Sequence, residues 1–227
     1  MPDVTYTLTV SNVTDLAAAP NPIAPGSTAT FVFLDLTVVE VQVLASGDDV
    51  EESSSGSIDT TSGDLELVVD GSDNRTVGLR FVSVAIPQDA TITKAYVQFR
   101  SDEVTVGPAS LLVEGQATDN AAPFGASVST LPRTAASASW IPAPWPTTNE
   151  GGPDQRTTDI AAVVQEVVNR PGWQSGNALV LIITGSGTRT AESWDGNNNA
   201  APLLRVEYLT EGSATEPPQA PTGLEVE

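Results

Sequence analysis

The segments TVGLRF at Thr76–Phe81 and TITKAYVQF at Thr91–Phe99 decide the fold class. In the first, Leu79 and Phe81 project to one side of an extended chain and Arg80 to the other. In the second, Ile92, Lys94, Tyr96 and Gln98 oppose Thr93, Ala95, Val97 and Phe99, the period of a half-buried strand. Pro87 lies between the two. Its missing N–H cannot join a ladder, so it belongs to the connecting loop.

Further strands read outward from this pair at 38–44, 64–70, 110–116, 178–184 and 203–209. Asp70-Gly71, Gly107-Pro108, Gly185-Ser186-Gly187 and Asp195-Gly196 punctuate them as turns. Many short strands with such turns predict an all-β fold, an antiparallel, jelly-roll-like β-sandwich. One stretch departs from period two. Ile160, Val163, Val164, Val167 and Val168 fall on one helical stripe, which predicts a single short amphipathic helix near 159–169. Thr158 or Asp159 can cap its start, and Asn169-Arg170-Pro171-Gly172 stops it. Valine is a poor helix former, so packing against the sandwich must hold it.

Three regions follow. Residues 1–39, with strand-like stretches at 4–10 and 28–36 around a Pro20–Gly26 break, read as an N-terminal β extension or small β unit. Residues 40–210 form the sandwich. Residues 211–227 are a proline-rich linker, and Pro217 to Val226 resembles the approach to a fibronectin type III domain. The chain enters a strand-like stretch directly after Met1-Pro2-Asp3, which predicts a piece of a longer secreted protein.

Composition narrows the chemistry. The chain has 227 residues, 29 acidic and 9 basic, with no cysteine and no histidine, for a net charge of −20. Thiol nucleophiles, imidazole bases and Cys/His metal clusters are therefore excluded. With Lys94 as the only lysine, nucleic acid is not an expected partner, because a phosphate backbone calls for clustered cations. No apolar run approaches the roughly 18 residues of a membrane helix, so membrane insertion is not expected. Carboxylates, amides and hydroxyls remain, which suit hard cations and polar surfaces.

The run Thr76–Phe81, then Ile86-Pro87-Gln88-Asp89-Ala90-Thr91-Ile92 and Ala95-Tyr96, resembles the alginate-binding-like (DNRLRE-type) carbohydrate-binding β-sandwich modules of secreted bacterial proteins. The helix at 159–168, Trp173 and the 178–184 strand fit the same layout, so the resemblance covers about three quarters of the chain. It implies a non-catalytic jelly roll, often calcium-stabilised, that grips glycan or spaces other domains at the cell surface or outside the cell.

Asp48, Asp49, Glu51 and Glu52 read as one acidic loop. Such a loop is either solvated or gathered around Ca²⁺, which takes six to eight oxygens. Asp70 and Asp73, in a Gly/Asn/Asp turn, form a second candidate of the same kind. For a glycan ligand, Trp194 with Asp195, Asn197 and Asn198, and Trp140 and Trp145 with Arg133 and Arg156, combine an aromatic platform with polar anchors. The alternative for Trp140 and Trp145 is packing at the end of the sandwich. No pair of carboxylates is brought together by the sequence, so no catalytic residue is expected. The function expected is a non-catalytic carbohydrate-binding module whose partners are a polysaccharide and flanking domains. A structural or adhesive module that self-associates by strand pairing of its N-terminal segment is the alternative.

Overall fold

The computed structural model describes residues 5–10, 14, 27–32 and 34–211. The proline-rich tail and the Pro20–Gly26 break lie outside the described residues. The chain divides into two compact units, 1–36 with 209–227, and 37–208. In the first, β1 (Thr5–Val10) and β2 (Ser27–Val32) form an antiparallel pair with Thr5 opposite Val32. Both segments expected to donate strands elsewhere thus hold pairing partners in their own chain.

Along the rest of the chain come β3 (Leu34–Gln42), β4 (Asp49–Glu52), β5 (Ile58–Asp59), β6 (Asp64–Glu66), β7 (Val69–Asp70), β8 (Asp73–Asn74) and β9 (Thr76–Phe81). Then follow β10 (Thr91–Gln98), β11 (Ser110–Gln116), β12 (Arg133–Trp140), α1 (Ala161–Val168), β13 (Leu179–Ser186), β14 (Thr190–Glu192), α2 (Trp194–Asn197) and β15 (Leu203–Glu211). Six strands pair antiparallel in the order β12-β11-β13-β9-β4-β5. A three-stranded sheet has the order β10-β15-β3, and β14-β6 and β7-β8 are small antiparallel pairs. The fold is all-β and sandwich-like. No helix among the described residues is long and apolar enough to cross a membrane.

The core lies between the two larger sheets. Leu79, Phe81, Leu111, Val113, Leu179, Leu181 and Ile183 meet Ala95, Val97, Leu204, Val206 and Tyr208 there. Each large apolar side chain fully buried in this way contributes about 1.5–3 kcal/mol. Strand β13 explains its own unbroken apolar run, because it is central and covered on both faces. Leu179, Leu181 and Ile183 face the main core, while Val180 and Ile182 meet Val50, Ala121 and Val128 on the other side. Gly78, on that second face of β9, leaves room for the Phe124 ring, which a Cβ would approach to 2.7 Å.

Strand β10 departs from strict alternation at its start. Ile92 is buried with Ala95, Val97 and Phe99, whereas Thr93 and Lys94 are both exposed. The Ile92 N–H donates to Gln165 Oε1 at 2.7 Å, which fixes that irregularity. Helix α1 occupies the expected stretch, with Val163, Val164, Val167 and Val168 buried against the core. It packs on β10, β11 and β12, the first and last of these being edge strands of different sheets. The Glu166 carboxylate accepts from the Ala135 and Ala136 N–H groups of β12 at 2.8 and 2.7 Å. Both edges are thereby denied to foreign strands.

At one end of the sandwich a buried guanidinium replaces apolar packing. Arg189 is 1% exposed and donates to four backbone carbonyls: Nε to Ala143 at 2.8 Å, Nη1 to Gly107 and Thr188 at 2.8 and 2.7 Å, and Nη2 to Pro142 at 3.0 Å. It joins two loops that share only one β-bridge, Thr105 to Trp145. Replacing Arg189 by Met orphans all four oxygens, and unfolding in urea should show a loss of about 3 kcal/mol or more. A loss within experimental scatter would mean that the loops are held by other contacts.

Candidate functional site

The acidic run 48–52 is not a loop. Asp49–Glu52 is strand β4, so successive side chains point to opposite faces, and all four carboxylates, Asp48 included, are buried. Asp48 Oδ1 pairs with Arg80 Nη1 at 2.6 Å. Asp49 Oδ2 accepts the Trp194 N–H at 2.8 Å, at the first residue of α2. Glu52 turns the other way and gathers the 127–129 turn, accepting from the Val128 and Ser129 N–H groups and from both serine hydroxyls. Those donors hold its carboxyl below the usual range in spite of partial burial. The four carboxylates do not converge, because the period of a strand separates what the sequence places side by side.

Glu51 does gather other acids, but around an internal cation. Arg75 Nη1 lies 2.6 Å from Glu51 Oε2 and 3.6 Å from Glu66 Oε2, and Arg75 Nε lies 3.8 Å from Asp73 Oδ2. Arg75 Nη2 bonds Asp70 Oδ2. The guanidinium thus draws together Glu51 from the first expected metal loop and Asp70 and Asp73 from the second, and satisfies them where an ion was expected. Asp73 also accepts from the Ser54 N–H at 3.0 Å. Burial pushes Glu51 up to about 8, with the neighbouring Glu66 carboxylate adding to the rise. Burial likewise pushes Asp49 up to about 6, against the lowering effect of the Trp194 N–H.

A different set of carboxylates does converge. Oxygens of Asp64, Asp102 and Glu103 lie within 4.8 Å of one another. Asp64 belongs to β6, and the other two follow Ser101, whose bridge to Ala191 brings this loop beside the β14-β6 pair. Burial raises the Asp102 carboxyl, and the Asp64 charge raises it further. Glu192 responds in the same way to burial and then to Asp102. In sequence Asp102-Glu103 reads only as a weak acidic pair, and nothing links it to Asp64, which lies nearly 40 residues away and is joined to it only through the sheet pairing.

The tryptophans behave mainly as packing. Trp140 stacks on Phe99 with centroids 5.8 Å apart and planes 8° from parallel, and is 4% exposed. Trp145 is fully buried and its Nε1–H donates to the Asp154 carbonyl at 3.0 Å. Trp194 is half-buried against the core at the start of α2, while Asp195 and Asn198 are exposed and Asn197 half-buried. Arg133 is spent on Glu114 at 3.1 Å. Trp140 and Arg156 do come together, lining one cleft of about 460 Å³ with Ser139, Ile141, Asp154 and Thr158.

Arg156 has a second relationship that sequence reasoning missed. Its guanidinium lies over the Tyr96 ring, 4.8 Å from the centroid, and its Nε donates to Gln98 Oε1 at 2.6 Å. Lys94 Nζ lies 6.0 Å from the centroid of the same ring. Among the described residues, Arg75, Arg80, Arg133, Arg170 and Arg205 all pair with carboxylates, and Arg189 is spent on carbonyls. Among the described residues Lys94, Arg156 and Arg100 form no such ion pair, although the Arg100 charge reaches the Glu192 carboxyl and acts to lower it. Arg100 donates only to the Asn149 carbonyl and side chain, at 2.7 and 3.1 Å. Alternate exposure along β10 was the available signal, but nothing local tells which cations of a chain find partners.

No family model matches this chain, and no curated protein matches it.

The raised carboxyls set a pH dependence. Glu51 and Asp49 hold protons in the folded state that the unfolded chain releases near 4.5 and 3.8. Between those values and about 6 to 8 the native state binds more protons, so stability falls as pH rises through this window. Melting scans should give a lower Tm at pH 8.5 than at pH 5.5, on the order of a few degrees. Glu51→Gln, which cannot ionise, should flatten that slope. A Tm that climbs steadily to pH 8.5 would contradict the assignment.

Proposed function

We propose that the 37–208 unit is a non-catalytic carbohydrate-binding module, calcium-stabilised, from a modular extracellular or cell-surface protein, and that its ligand is an acidic polysaccharide. The observation that carries this reading is the placement of Lys94 and Arg156 on one tyrosine without carboxylate partners, in a chain of net charge −20. Acidic side chains outnumber basic ones threefold, so a cation left without an acid offers its donors to something outside the chain. Guanidinium matches a carboxylate or sulfate with two parallel hydrogen bonds. Tyr96 holds both cations through its ring face, each such contact contributing about 0.5–1 kcal/mol at an exposed site. Gln98, the serine and threonine hydroxyls and the upper edge of the 460 Å³ cleft supply the polar groups that sugar hydroxyls require.

Calcium fits Asp64, Asp102 and Glu103 better than the strand 49–52. Three hard carboxylates from two segments supply part of the six to eight oxygens that Ca²⁺ takes, backbone and water the remainder. A divalent cation there would offset the burial and the Asp64 repulsion that raise Asp102, and would tie the 102–103 loop to β6.

Affinity-gel electrophoresis on a panel of acidic and neutral polysaccharides tests the ligand class. Retardation in the acidic gels alone is expected, and free migration throughout the panel, with or without Ca²⁺, would reject the module reading. For the ion, chelator should lower the Tm, since a ligand at a hundred times its Kd stabilises by about 2.7 kcal/mol. Asp102→Asn should remove most of the difference between chelated and calcium-loaded protein. Equal melting of the native chain in chelator and in calcium would leave the cluster without an ion.

A further inference from the structure

Strand β10 continues its alternation beyond its last ladder residue. Ala95, Val97 and Phe99 are buried, while Tyr96, Gln98 and Arg100 are half-buried on the opposite face and Lys94 is exposed there. Lys94, Tyr96, Gln98 and Arg100 therefore form one row at every second residue. At about 3.3 Å per residue the row spans about 20 Å from Lys94 to Arg100. Arg156 stands beside its middle, fixed on the Tyr96 ring and on Gln98. A hollow of about 140 Å³ opens at the Arg100 end, lined by Gln98, Arg100, Gln42 and Asn199. The adjacent strand does not compete for the row. Arg205 on β15 is occupied by Glu40 at 2.7 Å and Glu207 at 3.3 Å, so this one guanidinium is spent and the adjacent strands add a single net negative charge beside the three cations.

The row carries three cations that form no ion pair among the described residues, one at each end and one at the centre, with an amide and a phenol between them. One sugar ring cannot meet charges about 20 Å apart. We infer that this row is a track for the interior of an extended acidic glycan strand, with Lys94, Arg156 and Arg100 each meeting the acidic group of a different sugar. The inference rests on the proposed acidic-glycan reading and adds to it the residues, the direction along β10, and recognition of several consecutive sugars rather than a single terminal unit. Arg100 is the member that separates a track from a local Tyr96 site, because it lies four residues further along the strand.

The test uses the full chain, with polygalacturonate, alginate and heparin as immobilised polymers and oligosaccharides of each, graded by length, as competitors. Competition should strengthen with oligomer length and level off once the row is filled, with the monosaccharide nearly inert. Lys94→Ala and Arg100→Ala should each weaken binding about tenfold, the loss of one charge-assisted contact. Arg170→Ala, which breaks a pair with Asp119 far along the chain, should leave binding unchanged. Retention of the polymer with a monosaccharide competing as well as its longer oligomers, or with Arg100→Ala binding like the native chain, overturns the track and leaves the module reading standing. Failure of the native chain to bind any of the three polymers overturns both. The length series needs no variant, so it decides the matter even if a substitution disturbs folding.

Discussion

The free edge of β10 is the constraint on which both the fold and the candidate site depend. An eight-residue strand at the margin of a three-stranded sheet presents unpaired N–H and C=O groups along its whole length. Here the returning chain at 155–165 satisfies them in order. Phe99 N–H donates to the Gln155 carbonyl, Thr157 N–H to Val97, and Ile160 N–H to Ala95, at 2.9–3.0 Å. Side chains complete the seal, with Thr157 Oγ1 accepting from Val97, Asp159 Oδ1 from Ala95, and Gln165 Oε1 from Ile92. This segment then becomes α1, which reaches across to β12 and closes that side of the sandwich. Its bridge between Arg156 and Gln98 is what delivers a guanidinium to the Tyr96 ring. The same hydrogen bonds that protect an edge thus position the Arg156 guanidinium over Tyr96.

The second organising fact is how a chain with so few cations uses them. Arg75 neutralises acids drawn from β4, β6, β7 and β8, and Arg189 replaces a hydrophobic plug between two loops. Both act inside the protein as an ion would, with geometry built into the chain. Burying a guanidinium costs desolvation that its partners must offset, and for Arg75 they do so incompletely, since its Nε has no hydrogen-bond partner. Arg189 has four carbonyls, enough to satisfy most of its five donors, and no carboxylate. That arrangement leaves its positive charge uncompensated by formal charge, and burial accordingly lowers its affinity for its proton.

The sequence was most legible where a single period ruled. The inward residues of β9 and the stripe of α1 followed directly from spacing of two and of 3.6. Legibility failed where chemistry masked geometry. The run 48–52 reads as a solvated or ion-gathering loop because four acids stand together, yet Val50 among them is a core residue, 49–52 is a strand, and all four acids are buried. Strand β12 has alanine and serine in place of large apolar residues, since its outer edge meets Glu166 and only Thr134 and Trp140 are buried. Site residues were the least legible. Of the set Trp140, Trp145, Arg133 and Arg156, only Trp140 and Arg156 line one cleft, and the residues that hold Arg156, Tyr96 and Gln98, lie some 60 residues away across a β-bridge.

A net charge of −20 conflicts with the proposed acidic ligand only if charge is treated as uniform. At physiological ionic strength the Debye length is about 8 Å, shorter than the row along β10, so a bound polymer feels chiefly the side chains it touches. The distant acids act on the approach and not on the bound state. At low salt they repel the incoming polyanion, which slows association. Moderate salt screens that long-range repulsion while the close contacts to Lys94, Arg156 and Arg100 persist, and high salt weakens those contacts in turn. On the proposed acidic-glycan reading, binding would be strongest at intermediate ionic strength, as for a local cationic strip on an acidic body. A broadly basic surface would instead lose affinity monotonically from the lowest salt upward.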